Sequence, residues 1–533
     1  MPLKSNSPVI KIYLFVFICL GVFTAGVGAE EPTIWSDLPP GPYGAGFMTL
    51  EQYDYSRAFR VKYDYFGAPL PGERARPLQI IVWYPAVKAD GDVPAVYSEY
   101  AFAYPEDESF VNILSNFHNR EIGYLTAYVR DRGKVLELMS TKMTGVRDAA
   151  PAVPPDTAGF PLIVYHAGEN HAENAALCEY LAGHGFVVAV TPTMGSYQYQ
   201  FRPDPADLEN LIRDREFILD RLRNLPFVDI NRLGVCGYLL GGSAALLMQM
   251  RNSDIDAVAA LEGGFVLPDF TELSRQNPAW NPARMHVPLM LLHGDTPDPN
   301  LSLLDSLTYA KKYIVRLTGL RSFDFTGYGL MALQVGDTTG PPPDTKRTGY
   351  AVAGQYLFNF FNAYLNKNQE SFQFLSRSPA AMGFDTALVA LTFTEGAELP
   401  PTETQFMSII SEYGVDKGVE IYERFKDKVP PGGLFREAQF NALGYQFLQS
   451  GQTEPALIIF KLNAETFPNS ANVWDSYGEA CAAAGDVPTA MTCYKKVLEV
   501  LPGDHNLDEN LREVLKANAE NYLGLTEPNN DEQ

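Results

Sequence analysis

Residues 232–246, Arg-Leu-Gly-Val-Cys-Gly-Tyr-Leu-Leu-Gly-Gly-Ser-Ala-Ala-Leu, constrain what this chain can fold into more than any other stretch. Leu233 to Cys236 has the unbroken apolar character of a short strand buried on both faces. Gly237 to Gly242 then forms a sharp turn into a helix that runs through Ala244, Ala245, Leu246 and Leu247. The glycines permit a strained turn and let the strand and helix backbones pass close together. Such a unit belongs in a parallel sheet covered by helices, with its chemistry at the carboxyl ends of the strands.

The flanking sequence repeats that pattern. Phe160 to His166, Phe186 to Val190, Ala257 to Glu262 and Val287 to His293 read as further buried strands, and Glu173 to His184 and Asp207 to Arg223 as helices between them. Ahead of them, Gly41 to Ala86 reads as an antiparallel entry sheet, with β-rich runs at Phe59 to Tyr63 and Leu78 to Tyr84 separated by Pro71-Gly72. Residues 95–150, with helical periodicity at Val111 to Phe117 and Val135 to Met143, read as a helical excursion over the sheet edge.

Several stretches together carry a family resemblance. They are Tyr53-Asp54-Tyr55-Ser56-Arg57, Arg76-Pro77-Leu78, Trp83-Tyr84-Pro85-Ala86, Pro161 to Gly168, Leu181 to Phe186, the long helix ending in Leu225-Pro226, and the turn at 237–241. From about Gly41 to Asn366 the chain resembles the exported platelet-activating-factor acetylhydrolase and dienelactone-hydrolase-like branch of the α/β hydrolases. The resemblance implies an α/β-hydrolase fold and an ester-cleaving ancestor with a triad in the order Ser, Asp, His, its serine in a G-x-S-x-G nucleophile elbow. In this chain the elbow reads Gly237-Tyr238-Leu239-Leu240-Gly241, so the serine position holds Leu239. A hydrocarbon side chain cannot form an acyl intermediate. The acid position falls on Asp295 or Asp298. The histidine position, in a Gly-x-x-His-x-x-Phe-type loop, falls on Ser322. No histidine occurs between Gly294 and Asp504, so no residue after the acid can serve as the base in that stretch.

The remaining polar residues offer weak substitutes. Ser243 lies one helical turn past the elbow apex, where packing is the expected role, and Cys236 reads as a core thiol. His166, Gly168, Tyr238 and Leu240 line the expected pocket and oxyanion region, where the Gly168 loop supplies a donor in an active relative. His166, Glu169 and His171, with Glu173 nearby, have side chains that suit a transition metal, but their spacing matches no known ligand pattern. No metal and no cofactor are expected.

Residues 1–29 read as a secretory signal. Lys4 and Lys11 supply the positive start, Ile12 to Val27 is a nearly uncharged apolar run, and Val27-Gly28-Ala29 precedes Glu30-Glu31 as a cleavage site requires. An uncleaved anchor is the alternative, and Ile18 before Cys19 argues against a lipoprotein. Export to the periplasm or the extracellular space is therefore expected, with no membrane attachment after cleavage. The formal charge of −23 becomes −25 once Lys4 and Lys11 are removed, which disfavours nucleic acid and anionic membrane surfaces as partners. Cys178, Cys236, Cys481 and Cys493 all sit in apolar contexts and are expected as buried free thiols.

The composition changes after Asn366. Residues 371–404, with Pro379, Pro400 and Pro401, read as a linker with some strand character at Ala387 to Thr394. Gln405 to Asp427 reads as a degenerate helical half-repeat. Beyond it Phe440, Leu443, Gly444, Phe447, Gly451, Ala456, Phe460 and Pro468 recur 34 residues later as Trp474, Tyr477, Gly478, Cys481, Gly485, Ala490, Tyr494 and Pro502. That period resembles tetratricopeptide repeats, here at about 437–468 and 471–502. The expected organisation is thus a signal at 1–29, an α/β-hydrolase-like domain at 30–370, a linker at 371–404, a helical repeat region at 405–525 and a polar tail at 526–533. The repeats provide either a groove for a peptide or protein segment or a structural prop.

Two functions of different class follow. One is a catalytically silent hydrolase fold that binds a ligand or a protein partner. The alternative is a working ester hydrolase that uses a non-standard nucleophile or a metal-bound water.

Overall fold

The computed structural model describes residues 35–524 apart from 36, 64–66, 71–73, 103–107, 169, 296–298 and 337–338. The signal stretch 1–29 and the tail 526–533 lie outside the described residues. Contacts divide the chain into two compact units, Met1–Ala397 and Glu398–Gln533.

Among the described residues the first unit has eleven strands: β1 (Gly44–Phe59), β2 (Arg74–Ala86), β3 (Pro94–Val96), β4 (Lys142–Arg147), β5 (Phe160–His166), β6 (Val187–Val190), β7 (Val228–Tyr238), β8 (Ile255–Leu261), β9 (Leu289–His293), β10 (Lys312–Leu317) and β11 (Val389–Thr394). They form one sheet in the order β11-β10-β9-β8-β7-β5-β6-β2-β1-β4-β3. The run from β6 through β5, β7, β8 and β9 to β10 is parallel, and β2 pairs antiparallel with both β6 and β1. With the β7 turn at its centre, this is the α/β-hydrolase fold.

Burial on both faces explains the apolar runs. In β5, Leu162 and Val164 join one core cluster, together with Val187, Val235 and Val258. Their neighbours Ile163 and Tyr165 join the other, with Val188, Cys236 and Ala259. Alternate residues of each strand thus fill opposite faces, and every residue of β5 is buried. The helix Pro205–Leu222 covers one face. Asp204 caps it by accepting from the backbone N–H groups of Ala206 and Asp207, with Pro205 at its first position.

Three of the stretches that carry the family resemblance meet at one buried ion-pair network. Asp214, on that helix, receives Arg76 of β2 through two bonds of 2.8 and 2.7 Å. Arg57 of β1 pairs with the same carboxylate at 2.8 Å and with Asp54 at 2.6 Å. The network ties the entry hairpin to the helix.

The structure departs from expectation in three places. The antiparallel entry sheet expected over Gly41 to Ala86 is formed by β1 and β2, but its first strand spans Gly44 to Phe59 and not the run Phe59 to Tyr63, because pairing with β2 runs from Gly44↔Ala86 to Asp54↔Arg76 before a bulge. The excursion at 95–150 contains β3 and β4 as well as the helices Tyr97–Phe102, Glu108–Val129 and Arg132–Met139, and the two strands extend the sheet. Residues 371–404 are not a plain linker. The helix Gln369–Ser376 buries Leu375, and β11 pairs antiparallel with β10, its Phe393 ring 4.9 Å from that of Tyr313. The first unit therefore reaches Ala397.

The second unit contains the helices Glu403–Tyr413, Val415–Phe425, Glu437–Gln449, Thr453–Thr466, Ala471–Ala483, Val487–Val500 and Glu509–Leu523. The stretch expected as a half-repeat is two helices, broken at Gly414, whose φ of 89° suits glycine. Helix starts at 403, 437 and 471 are 34 residues apart. The repeated glycines mark close crossings: a Cβ at Gly444 would lie 2.6 Å from the Phe460 ring, and one at Gly478 would lie 3.2 Å from Cys493 Cβ. Cys178, Cys236, Cys481 and Cys493 are free and buried.

Arg76→Ala leaves the Asp214 carboxylate buried with less compensating charge. It is expected to cost about 3–5 kcal/mol of stability, read as a lower denaturation midpoint in urea. A loss below about 1 kcal/mol would show that the network contributes little.

Candidate active site

Strand β7 ends at Tyr238 and the next helix, Leu240–Arg251, begins at Leu240, so Leu239 alone makes the turn. Its backbone has φ 47° and ψ −119°, a conformation that costs a residue with a side chain about 1–3 kcal/mol. Three hydrogen bonds hold it there. Its N–H donates to Leu261 O at 3.0 Å, and its carbonyl accepts from Gly242 N at 2.9 Å and Gly264 N at 2.6 Å. The glycines are sterically required: a Cβ at Gly241 would lie 1.9 Å from His166 O, and one at Gly237 would lie 2.2 Å from the Gly241 carbonyl carbon. The elbow is intact in geometry, and a half-buried leucine occupies its apex, packed against the core on one face of the sheet.

The loop after β10 reaches this apex. Tyr238 Oη lies 3.1 Å from both the carbonyl oxygen and Oγ of Ser322, so residue 322 stands beside the elbow. A serine hydroxyl there cannot accept and return a proton as an imidazole does. Asp295, after β9, accepts from Arg316 Nη2 at 3.1 Å and from the Gly319 N–H at 2.8 Å, and it is exposed. It ties down the loop that leads to Ser322. Asp298 lies outside the described residues.

A second carboxylate, which sequence reasoning passed over, belongs to the residue after Leu261, whose carbonyl accepts from the Leu239 N–H. Glu262 follows β8 directly, is 1% exposed and has φ 48°. Its Oε1 accepts from the Gly294 N–H, and its own N–H donates to Leu292 O at 2.8 Å. Leu239 bonds to the preceding residue, Leu261. The signal lay in the sequence as an acid ending an otherwise apolar strand, Ala257 to Glu262.

The oxyanion region is filled from within. The Gly168 N–H donates to Glu173 Oε1 at 2.7 Å, and the same carboxylate receives Tyr165 Oη at 3.2 Å and the Asn170 N–H at 3.4 Å. The Gly168 N–H, which the family resemblance places in the oxyanion region, is thus already engaged by a carboxyl oxygen of the protein. Tyr238 closes over it, since a Cβ at Gly168 would lie 2.8 Å from Tyr238 Cδ1. Leu240 is buried in the opposite core cluster.

The other candidates are core residues. His166 is fully buried, neither ring nitrogen has a hydrogen-bond partner, and burial pulls its pKa well below the usual range. His171 Nε2 lies 3.0 Å from Tyr100 O, its ring meets Phe117 edge-on, and burial lowers it to about 4. Glu169 lies outside the described residues. Among the described residues no three His, Cys, Asp or Glu side chains converge as metal ligands. Ser243 Oγ is buried without a partner, and burial pushes the Cys236 thiol up to about 12. A neutral thiol is a poor nucleophile.

No family model matches the chain, and no curated protein matches it. Among solved structures, a ferulic acid esterase from Streptomyces cinnamoneus matches over 69% of this chain and 100% of its own, with 21% sequence identity and a TM-score of 0.49.

Burial of neutral His171 sets a pH dependence. The unfolded chain takes up a proton near pH 6.5, while the folded chain resists until about pH 4. Stability from this group is therefore complete above about pH 6.5 and declines as pH falls through that window, by at most about 3 kcal/mol. His171→Phe should flatten this part of the curve of urea midpoint against pH. An unchanged slope would place the titration elsewhere.

Proposed function

We propose that this protein is a catalytically silent member of the α/β-hydrolase fold, one that binds a ligand or partner where its relatives cleave esters. The observation that carries the reading is Leu239 at φ 47°, a hydrocarbon side chain on an otherwise intact elbow. The Gly168 donor engaged by Glu173 supports it, as does Ser322 beside Tyr238 in place of a base. The second unit is the binding module of the proposal, a tetratricopeptide-like stack that takes a peptide or protein segment. A groove of about 860 Å³ there, lined by Met407, Ile410, Leu443 and Phe447 among others, supports that role. We further propose export, on the charge and hydrophobic pattern of residues 1–29.

The full chain, assayed on short acyl esters with and without added divalent metal, should show no turnover above a no-protein control. Turnover that is lost on replacing His166 or Asp295 would overturn the reading. Leu239→Ser alone should restore little, because neither a base at position 322 nor a free Gly168 donor is present. Substantial activity from that single change would count against the placement of position 322.

A further inference from the structure

In the second unit, the helices Ala471–Ala483 and Val487–Val500 each carry one cysteine at the place where they pack together. Cys481 and Cys493 are each only 1% exposed. Their thiols are in hydrogen-bonding contact with each other, and the Tyr477 hydroxyl is a second partner of Cys481. The backbones cross here as closely as a disulfide requires. A Cβ at Gly478, one helical turn before Cys481, would lie 3.2 Å from Cys493 Cβ, against about 3.5–4.5 Å between the Cβ atoms of a bridged pair. The 34-residue period sets these two positions apart. One period earlier they hold Phe447 and Ile459, which pack in one apolar cluster. In the later repeat both positions carry cysteine, so a thiol meets a thiol where hydrocarbon meets hydrocarbon before.

We propose that Cys481 and Cys493 are a modification site, forming a disulfide that staples the two helices of this repeat when the chain meets a disulfide oxidant. The oxidant is a small-molecule or protein disulfide, of the kind present where exported proteins fold. A thiolate of one cysteine attacks the S–S bond of the oxidant, giving a mixed disulfide and releasing one thiol. The other cysteine attacks the protein sulfur of that mixed disulfide, closes the Cys481–Cys493 bond and releases a second thiol. Two electrons pass from the protein sulfurs to the oxidant, and the two cysteine protons leave on the released thiols.

Burial determines when this happens. It pushes both thiols up, Cys493 to about 12, so the packed helices hold neutral thiols that exchange slowly. The bond therefore forms before the helical hairpin closes, and the closed hairpin shields it from reductants. By restricting the open chain, the bond favours the packed pair of helices.

The proposal goes beyond the binding function above and draws on export only for the source of the oxidant. Its test supplies the oxidant directly, so its failure is distinct from the failure of either reading. The full chain is reduced, unfolded in urea, refolded in a mixture of reduced and oxidised glutathione, alkylated, and mapped by mass spectrometry of its peptides. The peptides carrying Cys481 and Cys493 should be recovered linked, lighter by two hydrogen atoms, and at least about tenfold more abundant than any other linkage. Amide hydrogen exchange within residues 471–500 should be about tenfold slower in the linked chain than in the reduced one. That slowing should vanish in Cys493→Ala treated in the same way. Recovery of both thiols alkylated would overturn the proposal, as would glutathione held on one of them without a link. Faster exchange in the linked chain would also overturn it, because the bond would then strain the crossing, and so would slowing that persists in the variant.

Discussion

The first unit depends on a backbone crossing at which no side chain fits. Where β7 turns into the helix Leu240–Arg251, Gly241 rests against the carbonyl oxygen of His166, and Gly237 rests against Gly241. Leu239 is fixed at both ends of its peptide unit, by Leu261 on one side and by Gly242 and Gly264 on the other. These contacts join β5, β7 and β8, the centre of the sheet. They involve main-chain atoms and the absence of side chains, so they are indifferent to what residue 239 carries. The turn keeps its strained conformation with a leucine because the surrounding backbone determines it.

That separation lets one and the same turn carry side chains of different chemistry. A serine at the apex contributes little to packing, whereas a half-buried leucine adds apolar contact with the core beneath it. The hydrogen bonds at Gly168 and Ser322 are likewise closed within the protein: Glu173 accepts from the Gly168 N–H, and Tyr238 shares hydrogen bonds with Ser322. The Gly168 N–H and the Ser322 hydroxyl each have a partner within the protein, whereas His166 and Ser243 are buried without one.

The sheet was legible from the chain where strands are buried on both faces. β5, β6, β8 and β9 read as unbroken apolar runs because both sides meet covering helices. Edge elements were harder. β10 carries Lys312 and Arg316 between its apolar residues, and β11 is mostly exposed beyond Val389, so each owes its place to its neighbour more than to its own composition. The long reach of β1 was hidden for a similar reason, since its pairing with β2 determines its start at Gly44. At the site, Leu239 and Ser322 could be read by position along the chain. Glu262 could not be separated from the strand it ends, and the bond between Glu173 and Gly168 spans a loop whose conformation no local pattern specifies.

Buried carboxylates recur around the elbow and at the wall of a cavity that Glu121 lines. Glu173 and Glu262 are held by backbone N–H groups, which are fixed dipoles with no charge of their own. Glu179 collects Trp35, Thr144 and the Gly145 N–H. Backbone and hydroxyl donors help keep such acids folded into the core. Glu121 differs from these in its surroundings, because two tyrosine hydroxyls and one amide hold it at the wall of a cavity and not inside a packed loop. An acid held by backbone donors has little left to offer a ligand.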